Sequence, residues 1–220
     1  MTVDETLSDE QRIALNYARK PDRTIIEAVL LLDRQLGEIV QRESEPGLKQ
    51  LKLAWWREGL SQPVIASGAP PLLRVLSQSK QSPAPLAEVV DAWEMLVQEH
   101  LTSADMAQFA RRRATAWLWA AGDVPPAVVA ALTAAGQRWA LADLALHLSP
   151  ADEREAAVAL LAQAPSGARL PRGLRWASML EGLTLRRLAA ALGRDGGTFG
   201  SMRKALMLTV YGRPYSWPRS

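Results

Sequence analysis

The stretch that decides the fold is IIEAVLLLDRQLGEI, residues 25–39. Its large apolar side chains recur every three or four residues, at Ile25, Val29, Leu32, Leu36 and Ile39. This spacing places them on one face of an α-helix of about four turns. Because a helix gains most of its stability by burying such a face, residues 25–39 predict a core helix.

The same periodicity continues through most of the chain, and no stretch alternates between apolar and polar residues over the length of a strand. We therefore predict an all-α fold, a helical bundle of about ten helices. Besides residues 25–39, helices are expected around residues 8–20, 48–60, 72–76, 86–97, 106–121, 125–139, after residue 150, at 172–192 and at 198–211. Residues 1–220 are expected to form one domain, because no low-complexity linker divides them.

Composition excludes several classes of site. The chain has no cysteine and only two histidines, which excludes disulfides, thiolate metal sites and imidazole-rich metal sites. It has no glycine-rich phosphate loop, serine elbow or EF-hand pattern. The acidic residues 1–10 do not form a secretory signal, and no apolar run is long enough to span a bilayer. A cytoplasmic protein is expected, with peripheral membrane contact left open.

Basic residues are concentrated towards the end of the sequence. Residues 164–220 carry ten basic and two acidic side chains. This segment is expected to face an anionic partner or the acidic remainder of the chain. No nucleic-acid-binding motif accompanies it, so no nucleic-acid partner is expected. The run Arg111, Arg112 and Arg113 is interpreted as a solvated helix face, and Trp93 and Trp117 as core residues.

The stretch LLLDRQLGEI at residues 30–39, followed by LKLAWWRE at residues 51–58, resembles the squalene/phytoene synthase family. The similarity is strongest at AWWRE, residues 54–58, which resembles the helix after that family's first aspartate-rich motif. Weaker similarity at WAL, residues 139–141, and GARLP, residues 167–171, extends it over most of the chain.

The resemblance implies the isoprenoid synthase fold, with two acidic motifs facing each other at the mouth of an apolar cavity. In that family, carboxylates on the two motifs bind magnesium, and magnesium binds the prenyl diphosphate and stabilises the departing pyrophosphate. Magnesium would therefore be the cofactor of an active member.

At the first motif, this sequence departs from the family. Arg34 matches the family's arginine and Glu38 falls on an acidic position, but Gly37 and Gln41 occupy the other two. Since Arg34 stands four residues before Glu38, we interpret the two as a surface ion pair. No catalytic residue and no metal site are predicted here.

The second motif is also incomplete. In the matching alignment, His147 and Ala151 stand where the family has aspartates. Asp143 and His147 share a helical face, but one carboxylate and one imidazole make a poor metal site, and we interpret them as a hydrogen-bonded pair.

These departures favour a non-catalytic relative with an isoprenoid-binding or protein-assembly role, since the family includes an assembly factor for respiratory complex I. Its partner would be a prenyl diphosphate, an isoprenoid lipid or a protein. One alternative is an active prenyltransferase that recruits acids from elsewhere, and another is an anion-binding module that uses the basic segment. The residues expected at a ligand site are Arg34, Glu38 and Gln41 at the rim, Trp55 and Trp56 behind them, and Asp143 and His147 opposite.

Overall fold

A computed structural model of the chain describes residues 7–42, 45–62, 68–165 and 169–193. Within these ranges the protein is all-α, as predicted, with nine α-helices, three short 3₁₀ turns and no strand. The helices are α1 Asp9–Asn16, α2 Arg23–Gln41, α3 Pro46–Ser61, α4 Pro71–Ser77, α5 Ala87–Met95, α6 Ser103–Ala121, α7 Pro126–His147, α8 Ala151–Gln163 and α9 Arg175–Ala191. The helix predicted at residues 198–211 lies outside the described residues, as does most of the basic segment.

Local sequence signals explain where several helices begin and end. Ser8 and Gln11 form a capping box at the start of α1, since each side chain accepts a hydrogen bond from the other residue's backbone N–H. Thr102 and Asp105 cap α6 in the same way. That helix ends at Gly122, whose φ of 69° suits glycine.

Helices α6 and α7 lie at the centre of the bundle. They pack most extensively against each other, with α5 and α8 against α6, and α8 and α9 against α7. Helix α2 crosses α4, α5 and α6, while α3 packs on α5 and α1 on α9. One hydrophobic cluster includes side chains from all nine helices. Among the described helices, none combines the length and the apolar character needed to cross a bilayer.

Three tryptophans in mutual contact fill the space between α6, α7 and α9: Trp139 stacks on Trp117, and Trp176 meets Trp117 edge-on. The ring of Trp117 lies 5.0 Å from that of Trp139 and 5.3 Å from that of Trp176, measured between centroids. The prediction that Trp93 and Trp117 belong to the core is confirmed. This part of the bundle interior is therefore packed with aromatic side chains.

Candidate functional site

An open pocket of about 190 Å³ lies at one end of α2 and α7. It is lined by five of the seven residues predicted for a ligand site, namely Arg34, Glu38, Gln41, Asp143 and His147. The two stretches that resemble the acidic motifs of a prenyl synthase therefore border the same space. Whether they bind a ligand there stays a prediction.

A buried arginine forms the floor of this pocket. Arg113 of α6 donates through Nε and Nη2 to the two carboxylate oxygens of Asp33 on α2, at 2.8 and 2.7 Å. Its Nη1 donates to Oδ2 of Asp143 on α7 at 2.7 Å. One guanidinium therefore connects three helices through paired, charge-assisted hydrogen bonds. The interpretation of residues 111–113 as a solvated face is wrong for Arg113, which is only 3% exposed.

Aromatic rings surround the guanidinium. Its central carbon lies 4.0 Å from the ring centroid of Trp139 and 4.8 Å from that of Trp93, within the range of cation–π attraction. Trp93 Nε1 also donates to Asp33 Oδ1 at 2.9 Å. We refer to Asp33, Trp93, Arg113, Trp139 and Asp143 as the Arg113 cluster.

The Arg113 cluster is electrostatically well compensated. Burial alone would lower the pKa of Arg113, but Coulombic attraction to Asp33 and Asp143 and their hydrogen bonds outweigh that effect. The pKa of Arg113 is consequently raised above its ordinary value. The guanidinium stays charged at every physiological pH, and each of the two carboxylates has a permanent cationic partner.

Trp93 leaves no room for a side chain at position 37. A Cβ atom at this position would lie 2.9 Å from the Trp93 ring, closer than two carbon atoms can pack. The indole therefore occupies the volume that a side chain at position 37 would need. An aspartate at the family's position could be accommodated only if Trp93 moved away from Asp33 and Arg113.

Glu38 is held between two arginines at the pocket rim. Arg34 Nε donates to its Oε1 at 3.0 Å, as the spacing of four predicts, and Arg42 Nη2 lies 3.6 Å from Oε2. Both pairs are largely exposed, so each stabilises the helix by only about 0.3–0.5 kcal/mol. The predicted ion pair is therefore present, and the negative charge of Glu38 is neutralised by its neighbours.

On the opposite wall, His147 bonds to the backbone of Asp143. Its Nδ1 lies 2.7 Å from the Asp143 carbonyl oxygen and 3.6 Å from the carboxylate Oδ1. Because a carbonyl oxygen only accepts, Nδ1 donates the hydrogen in this contact. The two residues form the predicted pair, but their short hydrogen bond involves the main chain.

The structure does not bring Trp55 and Trp56 to this pocket. Trp56 is buried in the core, whereas Trp55 is 47% exposed and lines a different pocket, beside Gly59 and Leu73. The two tryptophans expected behind Arg34 and Glu38 therefore lie elsewhere. A site at Arg34 and Glu38 has Trp93 and Trp139 behind it instead.

No family model, curated protein or solved structure matches this chain. The similarity to squalene/phytoene synthases that the sequence suggests stays a prediction. What the pocket can do follows from its own side chains.

Magnesium, which the resemblance implies, does not fit these side chains. A divalent ion needs several carboxylate oxygens that are not already neutralised. Both oxygens of Asp33 and one of Asp143 accept hydrogen bonds from Arg113, and Glu38 lies between Arg34 and Arg42. A divalent ion could reach most of these oxygens only by displacing the arginines that already bind them.

The sequence contains a signal for the two buried charged residues that its interpretation missed, Arg113 and Asp33. Arg113 stands four residues after Phe109 and four before Trp117, both buried, so it falls on the apolar face of α6. Asp33 likewise stands four residues after Val29 and three before Leu36, within the apolar stripe of α2. A charged residue on the buried face of a helix needs a partner of opposite charge on another helix.

Proposed function

We propose that this chain is a non-catalytic relative of the squalene/phytoene synthases that acts through binding of another protein, as an assembly factor does. The observation that carries the proposal is the position of Arg113, which bonds to acids of α2 and α7 beside the two stretches that resemble the catalytic motifs. The charged guanidinium of Arg113 holds α2 and α7 together at this point.

The chemistry of an active synthase argues against catalysis by this pocket. Ionisation of an allylic diphosphate requires cations that hold and neutralise the departing pyrophosphate. In the Arg113 cluster, the positive charge of the arginine is outweighed by two carboxylates, so the cluster has a net charge of about −1 and would repel a diphosphate.

The small volume of the pocket argues against isoprenoid binding. Pockets that enclose a small organic ligand typically measure roughly 300–1,000 Å³, and the pocket beside Arg34 measures about 190 Å³. Trp117, Trp139 and Trp176 fill the neighbouring space between α6, α7 and α9, where an isoprenoid chain would otherwise extend.

The purified full chain should be incubated with farnesyl or geranylgeranyl diphosphate and magnesium, while condensation products and released pyrophosphate are measured. We expect neither, and we expect no change in tryptophan fluorescence when the diphosphate is added, although Trp93 and Trp139 line the pocket. A condensation product would reject the proposal in favour of the prenyltransferase. Saturable binding without turnover would reject the assembly role in favour of isoprenoid binding.

A further inference from the structure

The rim of the pocket beside Arg34 carries an unbalanced positive charge. Arg34 and Arg42 both approach one carboxylate, that of Glu38, at 3.0 and 3.6 Å. Two cations against one anion give these three side chains a net charge of about +1. Arg34 uses only Nε to bind Glu38, and its two terminal nitrogens make no hydrogen bond with any residue that the structure describes. A partly exposed guanidinium of this kind is suited to bind a carboxylate.

The floor of the same pocket carries an unbalanced negative charge. Asp33 and Asp143 share the single cation of Arg113, which gives the net charge of about −1 noted above. Asp143 binds Arg113 through Oδ2. Its Oδ1 accepts no hydrogen bond within the described part of the chain, since His147 Nδ1, 3.6 Å away, donates to the backbone carbonyl instead. One carboxylate oxygen is therefore available to accept a hydrogen bond from an ammonium group.

The two unbalanced charges do not neutralise each other directly. Across the ranges that the structure describes, Arg34 forms an ion pair with Glu38, whereas Asp143 pairs with Arg113 and His147. Arg34 on α2 and Asp143 on α7 nevertheless line one pocket, so the space between them is the pocket itself. A bound molecule with one cationic and one anionic group would contact both side chains.

The volume of the pocket restricts such a molecule to a short carbon skeleton. At about 190 Å³, the pocket is smaller than the roughly 300–1,000 Å³ that a drug-sized ligand requires. The indoles of Trp93 and Trp139 form part of its wall and offer apolar contact to a few carbon atoms. The ligand must therefore carry its two charges close together. A free α-amino acid does so, because its ammonium and its carboxylate are attached to the same carbon.

We propose that this pocket binds a free α-amino acid with a small side chain, in its zwitterionic form. The ammonium donates to Asp143 Oδ1, the carboxylate accepts from the terminal nitrogens of Arg34, and the carbon skeleton lies against the indoles. Each charge of the ligand then meets an unbalanced charge of opposite sign, whereas a diphosphate or a simple cation meets one such charge and is repelled by the other. The site is independent of the assembly role, because it requires no partner protein.

Titration of the full chain with L-alanine tests the proposal, with the indole N–H resonance of Trp93 followed in proton–nitrogen correlation spectra. Trp93 Nε1 donates to Asp33, so this resonance reports changes at the Arg113 cluster. Two analogues isolate the charges: L-alaninamide lacks the carboxylate, and N-acetyl-L-alanine lacks the ammonium. We expect saturable binding of L-alanine and at least ~10-fold weaker binding of either analogue, because each loses a charge-assisted hydrogen bond.

Two variants assign each charge of the ligand to a side chain. Arg34→Gln should raise the Kd of L-alanine at least ~10-fold but should not weaken L-alaninamide, which has no carboxylate to lose. Asp143→Asn should likewise weaken L-alanine and not N-acetyl-L-alanine. Arg111→Gln and Asp152→Asn, at exposed residues outside the pocket, are the matched controls. Urea denaturation verifies that each variant is folded.

The absence of saturable L-alanine binding would overturn the proposal, as would equal affinities for L-alanine and its two analogues. Equal weakening of L-alanine and L-alaninamide by Arg34→Gln would also overturn it, because Arg34 would then act on the shape of the pocket and not on the carboxylate. No partner protein or isoprenoid enters these titrations, so their failure would leave the assembly role unaffected.

Discussion

Arg113 on α6 and Arg138 on α7 are almost equally buried, yet their charges are compensated differently. Arg113 bonds to two carboxylates and lies against aromatic rings. Arg138 has one carboxylate, that of Glu181 on α9, to which its Nε donates at 2.6 Å, while its Nη1 donates to the carbonyl of Pro165. The first arginine has a surplus of negative charge around it, and the second has a single balancing charge.

The two sites also differ in which group has a raised pKa. Burial raises the pKa of Glu181 to about 7, and the Coulombic attraction and hydrogen bond of Arg138 offset only part of this effect. In the Arg113 cluster, the two carboxylates raise the pKa of the arginine instead. A buried arginine is therefore stabilised in its charged form where carboxylates outnumber it. A buried pair of one arginine and one carboxylate still carries much of the free-energy cost of desolvation.

The largest effect is expected from Arg113→Met. Removal of the guanidinium leaves Asp33 and Asp143 without their cation, and such a change typically lowers the free energy of unfolding by about 3–5 kcal/mol. Arg138→Met should cost less, because the single acid left behind can protonate. Urea denaturation measures both, with Arg111→Met, an exposed arginine of the same helix, as the control. Equal losses of unfolding free energy in Arg113→Met and Arg138→Met would contradict the stronger dependence of the Arg113 cluster on its arginine.

A pH series examines the Arg138 side of the comparison. Because the folded-state pKa of Glu181 is raised to about 7, its contribution to stability is present below its unfolded pKa and is lost as pH rises through 7. Between pH 5.5 and 8 the difference in unfolding free energy between wild type and Glu181→Gln should shrink by about 2 kcal/mol. A difference that stays constant over this range, or grows, would contradict the raised pKa.

A smaller effect is expected from Gly37→Ala, which tests the aromatic wall of the Arg113 cluster. The added Cβ meets the Trp93 ring at 2.9 Å, and overpacking of this kind costs about 1–3 kcal/mol. The higher helix propensity of alanine recovers up to about 1 kcal/mol, so we expect a net loss of about 1 kcal/mol in urea denaturation. Gly47→Ala on α3, where the Cβ meets no atom within 4 Å, should be neutral or slightly stabilising.

The all-α class and the buried stripe of α2 could be predicted from the sequence because they depend on local periodicity. Val29, Leu32 and Leu36 are buried as their spacing requires. The opposition of Glu38 and His147 across one pocket is also present, although it was expected only from resemblance. The first two features follow from the spacing of residues within one helix, and the third follows from the resemblance.

Features that depend on packing between helices were not predictable in the same way. The interpretation of residues 111–113 as a solvated face is wrong for Arg113 because its partners, Asp33 and Asp143, lie on two other helices that are distant in the sequence. The contact between position 37 and the Trp93 ring, which leaves room only for glycine, depends on packing between α2 and α5. The exposure of Trp55 depends on which neighbouring helices reach that side of α3, which no local pattern encodes.

The close contact of Trp117 with Trp139 and Trp176 has an optical consequence. Indoles whose centroids lie 5.0 and 5.3 Å apart exchange excitation energy and couple their electronic transitions, which gives strong, signed bands in the near ultraviolet. The chain should thus possess an intrinsic spectroscopic signature of the junction between α6, α7 and α9. Its disappearance would report the separation of these helices even while their backbones remain helical.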